Sequence, residues 1–280
     1  PNLEKLKNCL DKWGHYTLLE RKIDAGALEY WQERIRSGKF NHKELIDGIY
    51  NSEEYSMNRV NFNQMLHHGR HLWCQSIGKY NCILDVGGSS PNIAEGALIE
   101  LGYRYRPKEL IIFDLPEEDQ YWGKPKFPQD RDYKFEWGVL KYEHGRVENI
   151  YEYNSLNDKF FDMVFMGQTI EHIYKEKLDL VLTWIREHLK PKGRFIFDTP
   201  NRNITKIQSP YSYIDNDHKY EYTPDEIEKI LNKNGFKICN KVGILNMPET
   251  FTSKVFKPLE IAHTELVNSH PESSYIFAFE

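Results

Sequence analysis

Cysteine is scarce in this 280-residue sequence, and its four copies are far apart in the chain. Cys9, Cys74, Cys82 and Cys239 have none of the spacings by which cysteines hold a zinc ion or an iron–sulfur cluster. They are typical of free thiols in a reducing compartment, which excludes a small disulfide-stapled scaffold. We therefore expect a cytoplasmic protein whose cysteines bind no metal.

Long apolar runs are also missing. No stretch approaches the roughly 20 apolar residues that a membrane-spanning helix needs, and no secretory signal peptide is visible. We expect no membrane insertion. Because the chain starts with Pro1, which is typical of a fragment, the lack of a visible targeting sequence is weak evidence about where the protein is located.

The sequence has no run of lysine and arginine. Its formal net charge is −5 and its pI is near 6.2, which argues against a surface for polyanions and predicts no nucleic-acid partner. Hydrophobic residues make up 40% and aromatic residues 14%, so a substantial core is expected rather than disorder. The length allows one large domain, or one domain with an appendage.

Residues 1–80 carry helical patterns without strand alternation. A helix is predicted over Ala25–Ser37, where apolar residues recur at helical spacing, and Gly38 follows as a stop signal. Further helices are predicted over His42–Tyr50, capped by the preceding asparagine, and from Ser52 onward.

Within this region, the segment Leu18–Tyr55 carries a recognisable pattern. Arg21, Trp31 and the Ser-Glu-Glu-Tyr run at 52–55 match a small helical family distantly similar to phycobilisome-linker domains. That family has no known chemistry and often accompanies enzymes of surface-polysaccharide assembly. The resemblance implies a helical accessory domain over residues 1–57 that docks a partner. The alternative is a plain helical cap on the next domain.

From Asn81 onward, strand-like runs alternate with helical patterns. The predicted strands are Cys82–Val86, Leu110–Phe113, one within Tyr133–Tyr153, Phe161–Met166, Arg194–Phe197, Phe236–Ile244 and Ser273–Phe279. The predicted helices are Asn92–Gly102, Leu178–Leu189 and one that is capped by Thr223 and ends at Gly235. This alternation is typical of an α/β fold with a mostly parallel sheet.

Polar or small residues follow four of these strands. They are the loop Asp85–Ser90, the single residue Asp114, the sequence GQTIEH at 167–172 and the sequence DTPNR at 198–202. Because the carboxyl ends of parallel strands share one edge of a sheet, these segments predict a ligand site there. A carboxylate such as Asp114 can accept both hydroxyl hydrogens of a ribose. Each segment alone is also compatible with an ordinary turn or helix cap.

Three longer stretches are more specific. They are FFDMVFMGQTIEHI at 160–173, HLKPKGRFIFDTPNR at 188–202 and HKYEYTPDEIEKILNKNGF at 218–236. Together they resemble the class I methyltransferases that use S-adenosylmethionine, in particular the ubiquinone-pathway-like branch. The resemblance covers about residues 81–280 and implies a methyltransferase domain over 58–280. It implies a Rossmann-like, seven-stranded, mostly parallel sheet with an antiparallel last strand, preceded by a small all-α domain.

The resemblance also implies a cofactor site for S-adenosyl-L-methionine. Its predicted residues are Asp85, Gly87, Gly88 and Ser89 at the methionine half, Asp114 at the ribose, Leu115 near the adenine, and Gly167 and Gln168 at the methionine end. The residue that meets the adenine amino group is expected after the third strand, where Glu152 is a candidate. The family usually has glycine where this sequence has Ser89 and Pro91. Because Pro91 lacks an N–H and stiffens the turn, cofactor affinity depends on how this loop folds.

Methyl transfer to an alcohol requires the loss of a proton, so a general base is expected within hydrogen-bond reach. The candidates are His172, Glu171 and His218, with a structural turn as the alternative role of the Glu-His pair. His218 lies in a long polar loop, Asn201–Tyr222, that also contains Tyr211, Tyr213, Asp215 and Asp217. Carboxylates with aromatic rings suit a carbohydrate acceptor, although the same composition is also typical of a solvated loop.

Histidines also cluster in HHGRH, residues 67–71. His67 and His71 have a spacing that can ligate a metal, but no acidic partner lies within the turn, so we predict no metal site. We expect Arg70 or one of these histidines near the carboxylate of the cofactor, because this helix leads into the first strand. An ordinary helix surface is the alternative.

The sequence therefore predicts an S-adenosylmethionine-dependent O-methyltransferase that acts on a sugar or glycan intermediate of surface-polysaccharide biosynthesis. Two alternatives stay open. One is a methyltransferase for another small acceptor, such as a phosphate-bearing or quinone-like compound. The other is a non-catalytic interaction module with a degenerate cofactor loop. A nicotinamide enzyme is disfavoured, because GGSSPN at 87–92 lacks the Gly-x-Gly-x-x-Gly spacing.

Overall fold

The computed structural model describes residues 25–38, 62–120, 125–248 and 265–280. The chain forms two compact units, Pro1–Gln64 and Met65–Glu280. Among the described residues, no helix has both the length and the apolar character needed to cross a membrane.

In the first unit, helix α1 spans Ala25–Arg36 and confirms the helix predicted there. Gly38 follows at a φ of 70°, a left-handed conformation that glycine adopts without strain at the end of a helix. The helix predicted over His42–Tyr50 and the beginning of the helix predicted from Ser52 lie outside the described residues. The later part of that second helix, which was predicted to run through Trp73, is confirmed by a helix over Phe62–Ser76. A separate all-α domain with its boundary at residue 57 stays a prediction.

The second unit contains most of the regular structure. Its helices, of which the first begins just before the unit boundary, are α2 (Phe62–Ser76), α3 (Gly96–Glu100), α4 (Asn154–Asn157), α5 (Lys175–His188), α6 (Arg202–Gln208) and α7 (Pro224–Lys233). Its strands are β1 (Cys82–Val86), β2 (Glu109–Asp114), β3 (Tyr133–Phe135), β4 (Gly138–His144), β5 (Phe161–Gly167), β6 (Leu189–Pro200), β7 (Lys241–Asn246), β8 (Val267–Asn268) and β9 (Ser274–Phe279). Short 3₁₀ turns span Glu117–Asp119, Val147–Glu152, Ile170–His172 and Pro271–Ser273.

These strands form one mixed sheet in the order β3-β4-β2-β1-β5-β6-β9-β7-β8. The predicted α/β fold with an antiparallel last strand is confirmed, because β9 lies antiparallel between β6 and β7. The predicted number of seven strands is wrong, since the sheet has nine. The additional strands, β3 and β8, pair antiparallel with β4 and β7 at the two edges and are only three and two residues long. Such short strands show no readable alternation.

The middle of the sheet is the core of this unit. Four of the five residues of β1 are buried, and so are five of the seven residues of β5, as expected for parallel strands that are covered on both faces. Helix α5 buries Val181, Leu182 and Ile185 in the same cluster. Each such aliphatic side chain stabilises the fold by about 1.5–3 kcal/mol when it is fully buried.

Two loops differ from the predicted elements. The helix predicted over Asn92–Gly102 is wrong in its first half, because the hydroxyl of Ser90 accepts hydrogen bonds from the N–H groups of Asn92 and Ile93, at 3.0 and 3.2 Å. This side-chain turn competes with helix formation, and α3 starts only at Gly96, which has a φ of 82°. The loop expected over residues 201–222 contains α6.

Candidate active site

The predicted site residues gather at the carboxyl ends of β1, β2, β5 and β6. These four strands are adjacent and parallel, so the loops that follow them meet at one edge of the sheet. The edge has two groups of residues. The first surrounds the loop after β1 and the end of β2, and the second surrounds the ends of β5 and β6.

The loop after β1 requires glycine at two successive positions. Gly87 has a φ of 70°, donates its N–H to the carbonyl of Phe113 at 2.8 Å, and would place a Cβ 2.4 Å from the hydroxyl of Thr169. A Cβ on Gly88 would lie 2.1 Å from the carboxyl carbon of Asp85. Both glycines therefore let the backbone pass close to its neighbours.

Asp114 connects this loop to the end of β2. Its carboxylate accepts the backbone N–H of Ser89 at 2.8 Å and that of Leu115 at 2.7 Å, one on each oxygen. Burial raises the pKa of Asp114, while these hydrogen bonds act in the opposite direction. Since a carboxylate oxygen accepts two hydrogen bonds, each oxygen retains capacity for a ligand hydroxyl.

Asp85 lies beside this loop and is fully enclosed. One oxygen of its carboxyl accepts the backbone N–H of Leu98 at 3.2 Å. Burial raises the pKa of Asp85 to about 7, opposed by that hydrogen bond and reinforced by the nearby charge of Asp114. Such a carboxyl gains from a cationic ligand, because a positive charge stabilises its ionised form.

The second group is built around Asp198 in β6, which is completely buried. Arg70 of α2 donates Nε to one carboxylate oxygen at 2.6 Å and Nη2 to the other at 3.1 Å. Gln168 donates its side-chain amide to the same carboxylate at 2.8 Å. A Cβ on Gly167 would lie 3.0 Å from the guanidinium of Arg70, so the small residue lets the cation approach the end of β5.

The three candidate bases form one cluster. Glu171 and His172 lie in the 3₁₀ turn after β5, and the loop that carries His218 is fixed to this turn. Two successive N–H groups of that loop, from Lys219 and Tyr220, donate to the carbonyl of Glu171 at 2.8 and 3.1 Å. The imidazole rings of His172 and His218 meet edge to face with centroids 5.0 Å apart.

The ionisable groups of this cluster are shifted in different directions. Burial raises the pKa of Glu171 to about 7. Burial and the neighbouring His218 lower the pKa of His172. Burial also acts to lower the pKa of His218, but the hydrogen bond to Glu221 and the charges of Glu171 and Glu221 outweigh it, so that the pKa is raised. Such opposed shifts are typical of sites that move protons.

Sequence reasoning missed a buried polar cover over the first group. The stretch after β2, to which no element could be assigned, brings Gln120 and Gln129 together through their side-chain amides at 2.6 Å. Gln120 also donates to the carbonyl of Leu115 at 2.8 Å, and the hydroxyl of Ser89 lies 3.3–3.4 Å from both amides. Ser89, which stands where the family usually has glycine, therefore has polar partners in this protein. No pattern in a single sequence predicts these contacts, because the residues lie far apart along the chain.

The remaining candidate residues are Glu152, Tyr211 and Tyr213. Glu152, a candidate for the adenine amino group, is exposed on the 3₁₀ turn that follows β4. Tyr211 is completely exposed, whereas the ring of Tyr213 lies under the guanidinium of Arg202 at 5.2 Å. Their roles stay predictions.

A family model described as a methyltransferase domain matches residues 58–241, well over half of the chain. A solved S-adenosylmethionine-dependent methyltransferase from Archaeoglobus fulgidus is similar with a TM-score of 0.50 and 18% identity, over 77% of this chain and 92% of that one. The small RNA methyltransferase HEN1 is similar with a TM-score of 0.50 and 14% identity, over 79% of this chain and 26% of that one. These likenesses show the fold alone. No curated protein matches the sequence.

The residues at this edge fit S-adenosylmethionine, which carries an amino group, a sulfonium, a carboxylate and a ribose. A buried carboxyl at Asp85 and a second at Asp114 suit the cationic groups and the ribose hydroxyls, and the cation of Arg70 lies beside Gly167. The matched family and the fold support S-adenosylmethionine as the cofactor. The chain belongs to the methyltransferase-domain family.

Proposed function

We propose that this protein transfers a methyl group from S-adenosylmethionine to a hydroxyl of a sugar or glycan acceptor in surface-polysaccharide biosynthesis. The observation that carries the proposal is the cluster of Glu171, His172 and His218 beside the end of β5. This cluster joins the Arg70–Asp198 group through β6, since the hydroxyl of Thr199 donates to the carboxylate of Glu171 at 2.9 Å.

In this proposal the first group holds the cofactor, together with Gly167 and Gln168 of the second group. The loop residues Asp85, Gly87, Gly88 and Ser89 contact its methionine half, Asp114 its ribose, Leu115 its adenine, and Gly167 and Gln168 its methionine end. When bound, S-adenosylmethionine supplies an electrophilic methyl group. The protein's own contacts fix this loop, because Asp114 orients the backbone N–H groups of Ser89 and Leu115. Such preorganisation lowers the cost of binding.

The second group activates the acceptor. The acceptor oxygen forms a bond to the methyl carbon as the carbon–sulfur bond breaks, and the hydroxyl proton must leave. The lowered pKa of His172 keeps its imidazole neutral near pH 7, the form that can take up a proton. Enclosure of Glu171 excludes water from one side of the cluster.

The loop that leads to His218 supports a sugar as the acceptor. Residues 209–217 combine aromatic rings, among them Tyr213, with the carboxylates of Asp215 and Asp217, a composition that suits sugar hydroxyls and ring faces. The resemblance of Leu18–Tyr55 to a module found with polysaccharide-assembly enzymes supports the same class by association, and gives the N-terminal region a docking role.

A transfer assay with isotope-labelled methyl donor tests the proposal against nucleotide sugars and short glycans. We expect label on a sugar oxygen, and a loss of turnover of about 10²–10⁴-fold in His172→Ala or His218→Ala. The matched control is His270→Ala, because His270 is an exposed histidine that also faces a glutamate. Full turnover in both cluster variants contradicts the assigned role. Sugar-free phosphate compounds and quinone-like compounds are assayed in parallel, and labelling of these alone rejects the sugar class.

A further inference from the structure

The side chains of Glu171, His172 and His218 lie closer to one another than their roles as candidate bases or as a turn contact require. One potential ligand atom from each side chain lies within 4.8 Å of the other two, the one such group of three or more metal-ligating residue types in the part of the chain that the structure describes. We propose that these three side chains bind a divalent first-row transition-metal ion.

The carboxylate of Glu171 has an open coordination position. The residue has no exposed surface, and one of its oxygens, Oε2, accepts from the hydroxyl of Thr199. The other oxygen, Oε1, is buried and makes no hydrogen bond to any described residue. An unsatisfied buried carboxylate oxygen is costly, and a cation removes that cost.

His218 is held in the orientation that metal-binding histidines adopt. Its Nδ1 lies 2.8 Å from the carboxylate of Glu221, so this nitrogen donates and Nε2 keeps its lone pair for a ligand. Glu221 is itself fixed, because it accepts the backbone N–H of Ile214 at 2.8 Å and hydrogen bonds from Thr205 and Arg202. The buried carboxylate thus acts as a positioning group behind the histidine.

The ligand set selects the kind of ion. Two imidazoles and one carboxylate suit Mn²⁺, Fe²⁺, Co²⁺ or Zn²⁺, whereas Mg²⁺ and Ca²⁺ prefer oxygen ligands. Three protein ligands leave positions open for a further oxygen.

The role of the ion rests on the proposed function, but its binding does not. A cation bound by these three side chains lowers the pKa of an acceptor hydroxyl that coordinates it, so that the proton passes to solvent before the oxygen–carbon bond forms and the carbon–sulfur bond breaks. His172 then serves as a ligand rather than as the base, and both roles need the same neutral imidazole.

Cobalt provides the test. The full chain is stripped with a chelator, dialysed, and titrated with Co²⁺ by calorimetry and visible absorption. We expect one ion per chain, with ligand-field bands and without thiolate charge-transfer absorption. Glu171→Gln, His172→Ala and His218→Ala should each weaken binding at least tenfold, and Glu221→Gln by about 10–100-fold with the bands retained. His270→Ala is the control and should bind as the parent protein does.

The outcomes separate this proposal from the proposed function. Absence of stoichiometric Co²⁺ binding to the parent protein overturns the metal site whether or not any variant folds, and so does unchanged affinity in folded His218→Ala. If methyl transfer persists in chelator while no Co²⁺ binds, the metal site is rejected and the transferase function stands. If Co²⁺ binds as expected but no acceptor is methylated, the metal site stands and the proposed function is rejected.

Discussion

Arg70 and Asp198 form a two-point ion pair between α2, which precedes the sheet, and β6, at the ligand-binding edge of the sheet. The guanidinium meets the two carboxylate oxygens at 2.6 and 3.1 Å, and the Asp198 side chain has no solvent exposure. Only 13% of the Arg70 side chain is exposed, so the alternative of an ordinary helix surface does not describe this residue. Its expected place near the carboxylate of the cofactor stays a prediction. The pair fixes a positive charge next to Gly167, where one of the predicted cofactor contacts lies.

Asp198→Ala should destabilise the protein by about 3–5 kcal/mol, because it leaves the Arg70 charge nearly buried and without its carboxylate. Urea unfolding followed by circular dichroism measures the change. Asp130→Ala is the control, since its ion pair with Arg131 is exposed on both sides, and it should leave stability nearly unchanged. Equal effects of the two substitutions contradict the structural role assigned to the pair.

Gly87→Ala should lower stability by more than about 2 kcal/mol. The left-handed φ of 70° is strained for alanine, and its methyl group collides with the side chain of Thr169. Gly78→Ala is the comparison, because the nearest atom to a Cβ there is 3.8 Å away in Tyr80. The measurement is the thermal unfolding midpoint of each variant. If the two midpoints are equal, the loop after β1 can move away from Thr169 to make room for the methyl group.

The central strands of this fold, and the polar or small residues at their carboxyl ends, were predictable from the sequence. Buried parallel strands such as β1 and β5 are continuous apolar runs, and acidic or small residues directly follow them. The α7 cap was equally readable, because Thr223 and Glu226 form a capping box around Pro224. These signals are local, since each lies within a few residues of the element that it defines.

The parts that could not be predicted depend on contacts between distant segments. The amides of Gln120 and Gln129 meet only after the stretch behind β2 folds back, and no periodicity marks either residue. The cluster around Glu171 also depends on the loop that carries His218, a segment more than 40 residues later in the chain. The backbone N–H of Lys219 in that loop donates to the carbonyl of Glu171. The edge strands β3 and β8 are too short to carry a pattern.

Asp114→Ala should weaken S-adenosylmethionine binding at least tenfold in a calorimetric titration. The substitution removes the carboxylate proposed for the ribose, and it also frees the backbone N–H groups of Ser89 and Leu115 that this carboxylate orients. The matched control is Asp119→Ala, a nearby exposed aspartate whose distance to Arg146 is 4.0 Å. Equal affinity for the Asp114 variant and the parent protein removes this residue from the cofactor site.

Asp85→Asn should change the pH dependence of stability. Burial raises the pKa of Asp85 to about 7, so the folded protein keeps this proton between pH 4 and 7 while the unfolded chain releases it. The stability that this group contributes is therefore complete below pH 4 and is lost as the pH rises to about 7. The amide of asparagine keeps an acceptor for the N–H of Leu98 and cannot ionise.

The stability of Asp85→Asn relative to the parent protein should consequently increase from pH 4 to pH 7, by up to about 4 kcal/mol, because each pKa unit corresponds to about 1.4 kcal/mol. Urea unfolding of both proteins at unit pH steps, without cofactor, measures this difference. Other groups titrate in both proteins and cancel, apart from Asp114, whose charge is felt by Asp85. A difference that stays constant with pH means that Asp85 is ionised in the folded protein, and its carboxylate then already has a cationic partner before the cofactor binds.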